Sequence, residues 1–264
     1  MAEAFLARQP MLVVGAADER GELWSTLLTG DPGFITVSGP SSLTVAASLS
    51  AGDPLFRTLS EPTHVGMIAL DPGMRRRIRM NGTAHPVQGG LEIELDQVYA
   101  NCPKHIQKRV PEWHSVTPDG PVEGTALTDE DIALVNRTDT FFIATADLDG
   151  NADASHRGGN PGFLRAMGAR RLRWPDYVGN SMFNTLGNLE VNSRAGLLIP
   201  DWATGTVLHL TGTAAVDWNP GHAAALPGAQ RVVDFTVERL VRITNGSPLR
   251  WDAPEFSRFN PPTA

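Results

Sequence analysis

The sequence predicts a mainly β protein: two tandem six-stranded barrels, each with one short helix, packed together as a pseudo-dimer. Three observations carry this expectation. The chain holds 26 glycines and 20 prolines in 264 residues, an excess that calls for many turns and short strands. Its halves repeat: Asp18, Gly21, Gly30, Pro32, Gly33 and Phe34 recur 129 positions later as Asp147, Gly150, Gly159, Pro161, Gly162 and Phe163. Phe56–Leu59 matches Phe183–Leu186, and Gly66, Asp71, Gly82, Thr83 and Ala84 match Gly196, Asp201, Gly212, Thr213 and Ala214. Finally, apolar runs of strand length occur in the same order in both copies.

Each copy opens with a helical turn, Glu3–Arg8 or Asp129–Asn136, the second capped by Thr128. Apolar strands follow at Met11–Ala17 and Phe141–Ala146. Asp18–Gly21 and Asp147–Gly150 read as hairpin turns returning through Leu23–Leu28 and Ala152–His156. A Pro-Gly loop leads to a third strand, Ser42–Ala46 or Arg171–Trp174, and then to a helix starting near Asp53 or Ser181. In the second copy Met182, Phe183, Leu186, Leu189 and Glu190 form the stripe of that helix. Val65–Leu70 with Arg76–Thr83, and Ala195–Ile199 with Val207–Thr213, read as second hairpins. Leu91–Val98 and Arg231–Val241 are the last strands. Six strands around one helix suggest a small closed barrel, which removes sheet edges. The expected division is a first half at 1–110 with a degenerate site, a proline-bearing linker at 111–124, a second half at 125–245 and a packed tail at 246–264.

Composition excludes several function classes. A formal charge of −7 and a pI near 5.5 give no positive field to hold nucleic acid. One cysteine, Cys102, rules out an intrachain disulfide and a thiolate metal set. The expected compartment is therefore the cytoplasm, with neither export nor membrane insertion indicated. No hydrolase elbow, Walker loop or dinucleotide fingerprint occurs. The histidines lack metal spacing, so His85, His114, His209 and His222 read as structural, and Arg75–Arg77 reads as a solvated sheet edge.

Two segments have the chemistry of an anion site. Ser155-His156-Arg157-Gly158-Gly159 offers a hydroxyl, an imidazole, a guanidinium and unhindered backbone N–H groups at the end of a strand. Taken alone it is equally a polar loop with a surface arginine. Gly179-Asn180-Ser181 precedes a helix whose first amides suit a phosphate, although ordinary capping explains it too. In the first copy Leu27 and Leu28 stand at the places of His156 and Arg157, which leaves that site apolar, with Arg57 opposite Asn184 its one added charge. Both lysines of the chain fall within Asn101–Arg109. Pro103 there predicts a short helix whose start carries Lys104 and His105, unfavourable unless an anion is near. Cys102 reads as a buried structural thiol.

Taken together, Phe141–Asp147, Ala154–Phe163, Arg173–Asn180 and Asn192–Leu198 resemble the pyridoxamine 5′-phosphate oxidase-like FMN-binding split-barrel superfamily, over nearly all of 139–245. Asn101–Arg109 resembles a segment of its two-copy subgroup. The resemblance implies tandem six-stranded split barrels and a flavin at a barrel interface, serving a flavin-dependent oxidoreductase. It implies FMN as cofactor, with FAD, deazaflavin or haem as alternatives, and a non-catalytic flavin or haem carrier as the other function. The cofactor-binding residues it implies are Lys104, Ser155, His156, Arg157, Gly158, Asp176, Tyr177, Gly179, Asn180, Ser181, Asn184 and Thr185; catalytic residues stay unassigned. Phosphate oxidases of that superfamily place an Arg-Lys pair near the helix start, where this chain has Asn184 and Thr185. Expected partners are a small-molecule substrate, a nicotinamide electron donor and, through further homodimerisation, a second copy.

Overall fold

The structure is a computed structural model and describes residues 2–100, 102–179 and 183–263. The first half runs α1 (Ala2–Leu6), β1 (Met11–Ala17), β2 (Leu23–Thr29), β3 (Ile35–Gly39), β4 (Ser42–Val45), a 3₁₀ turn at Thr58–Ser60, β5 (Thr63–Asp71), β6 (Arg76–Val87) and β7 (Gly90–Ala100). Two short strands, β8 (Pro111–Trp113) and β9 (Val122–Gly124), follow. The second half runs α2 (Asp129–Arg137), β10 (Thr140–Ala146), β11 (Ala152–Gly158), β12 (Arg165–Ala166), β13 (Arg171–Tyr177), α3 (Asn184–Val191), β14 (Arg194–Pro200), β15 (Val207–Asp217), α4 (Pro220–Ala224) and β16 (Ala229–Ile243). The last strand, β17 (Leu249–Trp251), pairs with β8.

The strand order of the first sheet is β2-β1-β5-β6-β7-β4-β3, and that of the second is β11-β10-β14-β15-β16-β13-β12. Substituting each strand by its repeat partner converts one order into the other, so the duplication read in the residues is also one of topology. The architecture is mainly β with two such sheets, in agreement with tandem split barrels. Alternation along β1 and β10 divides each strand between two cores. Leu12 and Val14 face the first core, and Phe141 and Ile143 the second. The intervening Met11, Val13 and Phe142 enter a third, shared cluster with Ile68, Ile106 and Leu198. That shared cluster is the seam between the halves.

The recurring glycines have a physical cause at this seam. A Cβ on Gly66 would strike the Asp153 backbone, and one on Gly196 would strike the backbone of Leu23 and Trp24. Each glycine lets an edge strand of the opposite half approach closely. Gly196→Ala should therefore lower stability by about 1–3 kcal/mol through forced separation of the seam; an unchanged urea midpoint would mean that the seam yields freely. Gly82 and Gly212 sit where the register shifts in β6 and β15, against the carbonyls of Glu94 and Thr236. At α2 the Thr128 side chain accepts from the Asp131 amide while Asp131 accepts from the Thr128 amide. Thr128→Ala should cost about 1 kcal/mol in a denaturant titration.

Several expectations are corrected. The sheets are not closed: each strand path ends at β2 and β3, or at β11 and β12. The edges β2 and β11 are instead covered by strands of the opposite half, which protects them as closure would. Each sheet has seven strands in its path, because Ile35–Gly39 and the two-residue β12 follow a Pro-Gly loop too tight to announce a strand. The expected helix near Asp53 is a run of turns ending in the 3₁₀ segment, with Leu55 and Leu59 its buried side chains. In the second half the helix begins at Asn184. Phe183 precedes it at φ 49° with its ring exposed, and Glu190 accepts from the exposed Trp218. The stripe is accordingly Leu186 and Leu189, and Met182 lies outside the described residues. Lys104 and His105 form a turn, not a helix, so no helix dipole acts on Lys104.

Candidate functional site

Every residue of β11 is buried, including Asp153, Ser155, His156 and Arg157. Ala154 lies in the shared seam cluster, and the strand's buried polar groups must find partners there and on α3. Asp153 forms a buried ion pair with Arg79 of β6 and accepts from Tyr99 Oη of β7 at 3.0 Å. Burial, then the adjacent Asp153, pushes the Tyr99 hydroxyl up to about 12. Asn184 Nδ2 donates to Tyr99 Oη at 3.0 Å, and Thr185 Oγ1 donates to Ser155 Oγ at 2.9 Å. The start of α3 is thereby tied to β11 and to the opposite half.

On the other face, Arg77 Nη1 lies 2.8 Å from His156 Nδ1. A guanidinium only donates, so Nδ1 accepts and Nε2 carries the imidazole proton. Burial, then Arg77 and Arg157, holds His156 well below the usual imidazole range, so it is neutral. Arg157 donates to the His156 carbonyl at 3.1 Å and lies near Asp176, which pairs with Arg231 at 3.0 Å. Burial first, and then Arg157 and Arg79, pushes Arg77 down to about 9. Among the described residues, Arg79, Arg157 and Arg231 thus interact with the two carboxylates Asp153 and Asp176, and Arg77 adds a fourth guanidinium beside Arg79 and Arg157. Three N–H groups in this cluster, His156 Nε2, Arg77 Nε and Arg79 Nε, are buried without a hydrogen-bond partner among the described residues. A buried surplus of positive charge with unused donors is built to meet an anion.

The cluster is roofed by the segment before β8 and by the tail. Arg77, Lys104, His105, His156, Arg157, Gly158 and Tyr177 line a space of about 10 Å³. His105, at φ 65°, contacts the Val178 carbonyl through Nε2 at 3.1 Å and Asn260 Oδ1 through Nδ1 at 3.3 Å. Gln107 accepts from Ser257 and Asn260 of the tail, each at 2.9 Å. Lys104 Nζ lies 5.4 Å from the Phe259 ring centroid. Gly179, beside Lys104 and Cys102, sits at φ 126°, which a side chain would strain; Cys102 is half-buried.

Of the sequence-predicted residues, the structure brings Lys104, His156, Arg157, Gly158 and Tyr177 to one space and sets Asp176 beside Arg157. Ser155, Asn184 and Thr185 are engaged in the ties described, and Asn180 and Ser181 lie outside the described residues. Sequence reasoning missed Arg77, Arg79, Tyr99 and Asp153. Arg75–Arg77 was expected to be a solvated edge, yet Arg77 is buried. The available signal was the period of two on β6, which sends Arg77 and Arg79 to one face. That face meets the other half, so the solvated reading holds for the exposed Arg76 and fails for Arg77.

A buried neutral histidine makes stability pH-dependent. The unfolded chain protonates His156 near its ordinary value of about 6.5, while the folded protein does not, so stability should fall as pH drops below about 6.5. His105 is held down by burial in the same sense. His156→Gln should therefore reduce, without abolishing, the loss of Tm between about pH 7.5 and about pH 5.5; an unaltered slope would place the titration elsewhere.

No family model and no curated protein matches the chain. Solved structures that resemble part of it include pyridoxine phosphate oxidase-family and flavin-binding proteins. A protein related to general stress protein 26, of the pyridoxinephosphate oxidase family, from Clostridium acetobutylicum is 15% identical, covering 47% of this chain and 91% of its own at a TM-score of 0.32. A FAD-binding protein from Mesorhizobium loti is 12% identical, covering 47% of this chain and 96% of its own at 0.33. HupZ of Group A Streptococcus is 19% identical, covering 43% and 91% at 0.36. No helix among the described residues is long and apolar enough to cross a membrane.

Proposed function

We propose that this chain is a flavin-binding protein, with FMN the first candidate, and that it serves as a flavin-dependent oxidoreductase on a small molecule in a reducing, cytoplasmic compartment. The observation that carries the reading is the buried guanidinium surplus of Arg77, Arg79 and Arg157 with the His156 Nε2–H that has no partner among the described residues. These donors fit a phosphate monoester, which needs charge and several N–H groups together. Arg77, Arg157, His156 and Lys104 would hold it, and the 102–109 segment must yield to admit it. When bound, a flavin supplies hydride and electron transfer. The chain's own residues bind and orient it; Tyr99, at the Asp153–Asn184 junction, keeps its proton at neutral pH. His156 presents a protonated Nε2 to the cluster, which counts against its use as an axial haem ligand.

Purified protein loaded with FMN should show absorption near about 450 nm that persists through gel filtration. Bleaching by NADH or NADPH, followed by reoxidation with an added acceptor, would establish an oxidoreductase. Retained absorption without bleaching would leave a carrier, a Soret band would point to haem, and complete loss of flavin on filtration would refute the proposal.

A further inference from the structure

The duplication creates a second seam site, and it has the opposite chemistry. Repeat partners place His209 where the first site has Arg79, and Leu28 where it has Arg157. Here a cleft of about 530 Å³ opens at the edge of the first half, a size typical of small-molecule sites. Trp24, Asp53, Pro54 and Phe56 line it from the first half, with Pro121 and Arg239 from across the seam.

Asp53 is its buried charge, with a side chain 7% exposed. It accepts from the Leu55 amide at 2.8 Å and from the Thr26 hydroxyl, but its nearest basic side chain among the described residues is His209, whose Nε2 stands 4.0 Å away. His209 Nδ1 meets the Ser25 carbonyl at 2.9 Å. A carbonyl only accepts, so Nδ1 carries a proton and is committed to that contact. At 4.0 Å His209 and Asp53 make no hydrogen bond, and burial raises the Asp53 carboxyl above its ordinary value against the pull of His209, so the carboxylate is incompletely compensated. Arg239 does not supply a matched counter-charge, being held by Glu22 at 2.6 Å and lying near Glu123 at 3.8 Å. Arg57 lies exposed at the rim with no ion pair among the described residues; in water its charge acts weakly.

We propose that this cleft binds a small organic cation, an amine on an apolar body, with the ammonium at Asp53 and the body against Phe56, Pro54 and Pro121. The proposal is independent of flavin binding at the arginine cluster, and flavin content is read separately by absorbance.

The test is calorimetric titration of the full chain with phenethylamine and, as its anionic counterpart, phenylacetate. Phenethylamine should bind with a Kd below about 1 mM, and phenylacetate should bind at least about tenfold more weakly. Asp53→Asn should weaken phenethylamine about tenfold or more. Arg57→Ala, at an exposed position, should leave its affinity unchanged or tighten it a few-fold. Phe56→Ala should weaken it, and this variant together with Arg57→Ala decides the matter if Asp53→Asn does not fold. Preference for phenylacetate, indifference of a folded Asp53→Asn protein, no phenethylamine binding at about 10 mM, or FMN uptake at two per chain would each overturn the proposal.

Discussion

Arg157→Ala should weaken FMN binding tenfold to a hundredfold while the ligand-free protein keeps its fold and does not lose thermal stability. The first half of this expectation follows from the strength of charge-assisted contacts, about 1.5–3 kcal/mol each. The second follows from the surplus. Arg157 is buried among Arg77, Arg79 and two carboxylates that other guanidinium groups already engage, so burial costs it more than its neighbours return. Removing it relieves that cost. A residue that depresses stability yet improves binding is the pattern of a functional site. Leu28→Ala is the matched control, since Leu28 holds the repeat-equivalent position and is 2% exposed in the first core. It should lower the urea midpoint through lost packing and leave FMN affinity per folded molecule unchanged. Titrating FMN into both variants decides the placement: equal affinities would remove the arginine cluster from consideration, and a loss confined to Leu28→Ala would move the cofactor to the first half.

The division between what the residues revealed and what they concealed follows the range of the interactions. Strands such as Met11–Ala17, and hairpin turns such as Asp18–Gly21, are local, fixed by apolar runs and by a glycine at φ 72°, and they were legible. So was the duplication, because a repeat needs no knowledge of contacts. His156 and Arg157 were singled out because Ser155–Gly159 gathers a hydroxyl, an imidazole and a guanidinium at the end of a strand. Arg77 was misread because an arginine run looks the same on a solvated edge and in a seam; only the packing of β11 onto β5 and β6 distinguishes them. Closure of the barrel was expected because a bare edge is unfavourable, but a second copy of the fold can cover that edge equally well. The buried Asp53 lay in a segment expected to be helical, where an aspartate reads as a cap. The turns that replace the helix leave its carboxylate facing His209, more than 150 positions away in sequence.

The largest loss of stability should come from the clamp that holds the roof of the arginine cluster in place. Arg109 meets Asp139 through two hydrogen bonds of 3.0 and 2.7 Å, and both side chains are nearly fully buried. Thr140 adds a donor to the same carboxylate at 2.9 Å, and the guanidinium lies 5.9 Å from the Trp202 ring centroid. Asp139→Ala leaves a buried arginine without its counter-charge, which costs about 3–5 kcal/mol. The double variant Arg109→Met with Asp139→Leu removes both charges and should recover most of that loss, because the desolvation of the pair disappears with its attraction. A single variant costing less than about 1 kcal/mol in urea unfolding would mean that water reaches Arg109 and that the clamp is open in solution. The expected outcome couples stability to the site: Gln107, two residues before the clamp, donates to the carbonyls of His105 and Gly159 at 3.0 and 3.2 Å. Releasing Arg109 should therefore loosen the Lys104–Gln107 roof, and Arg77 and His156 beneath it should exchange with solvent before the rest of the seam does.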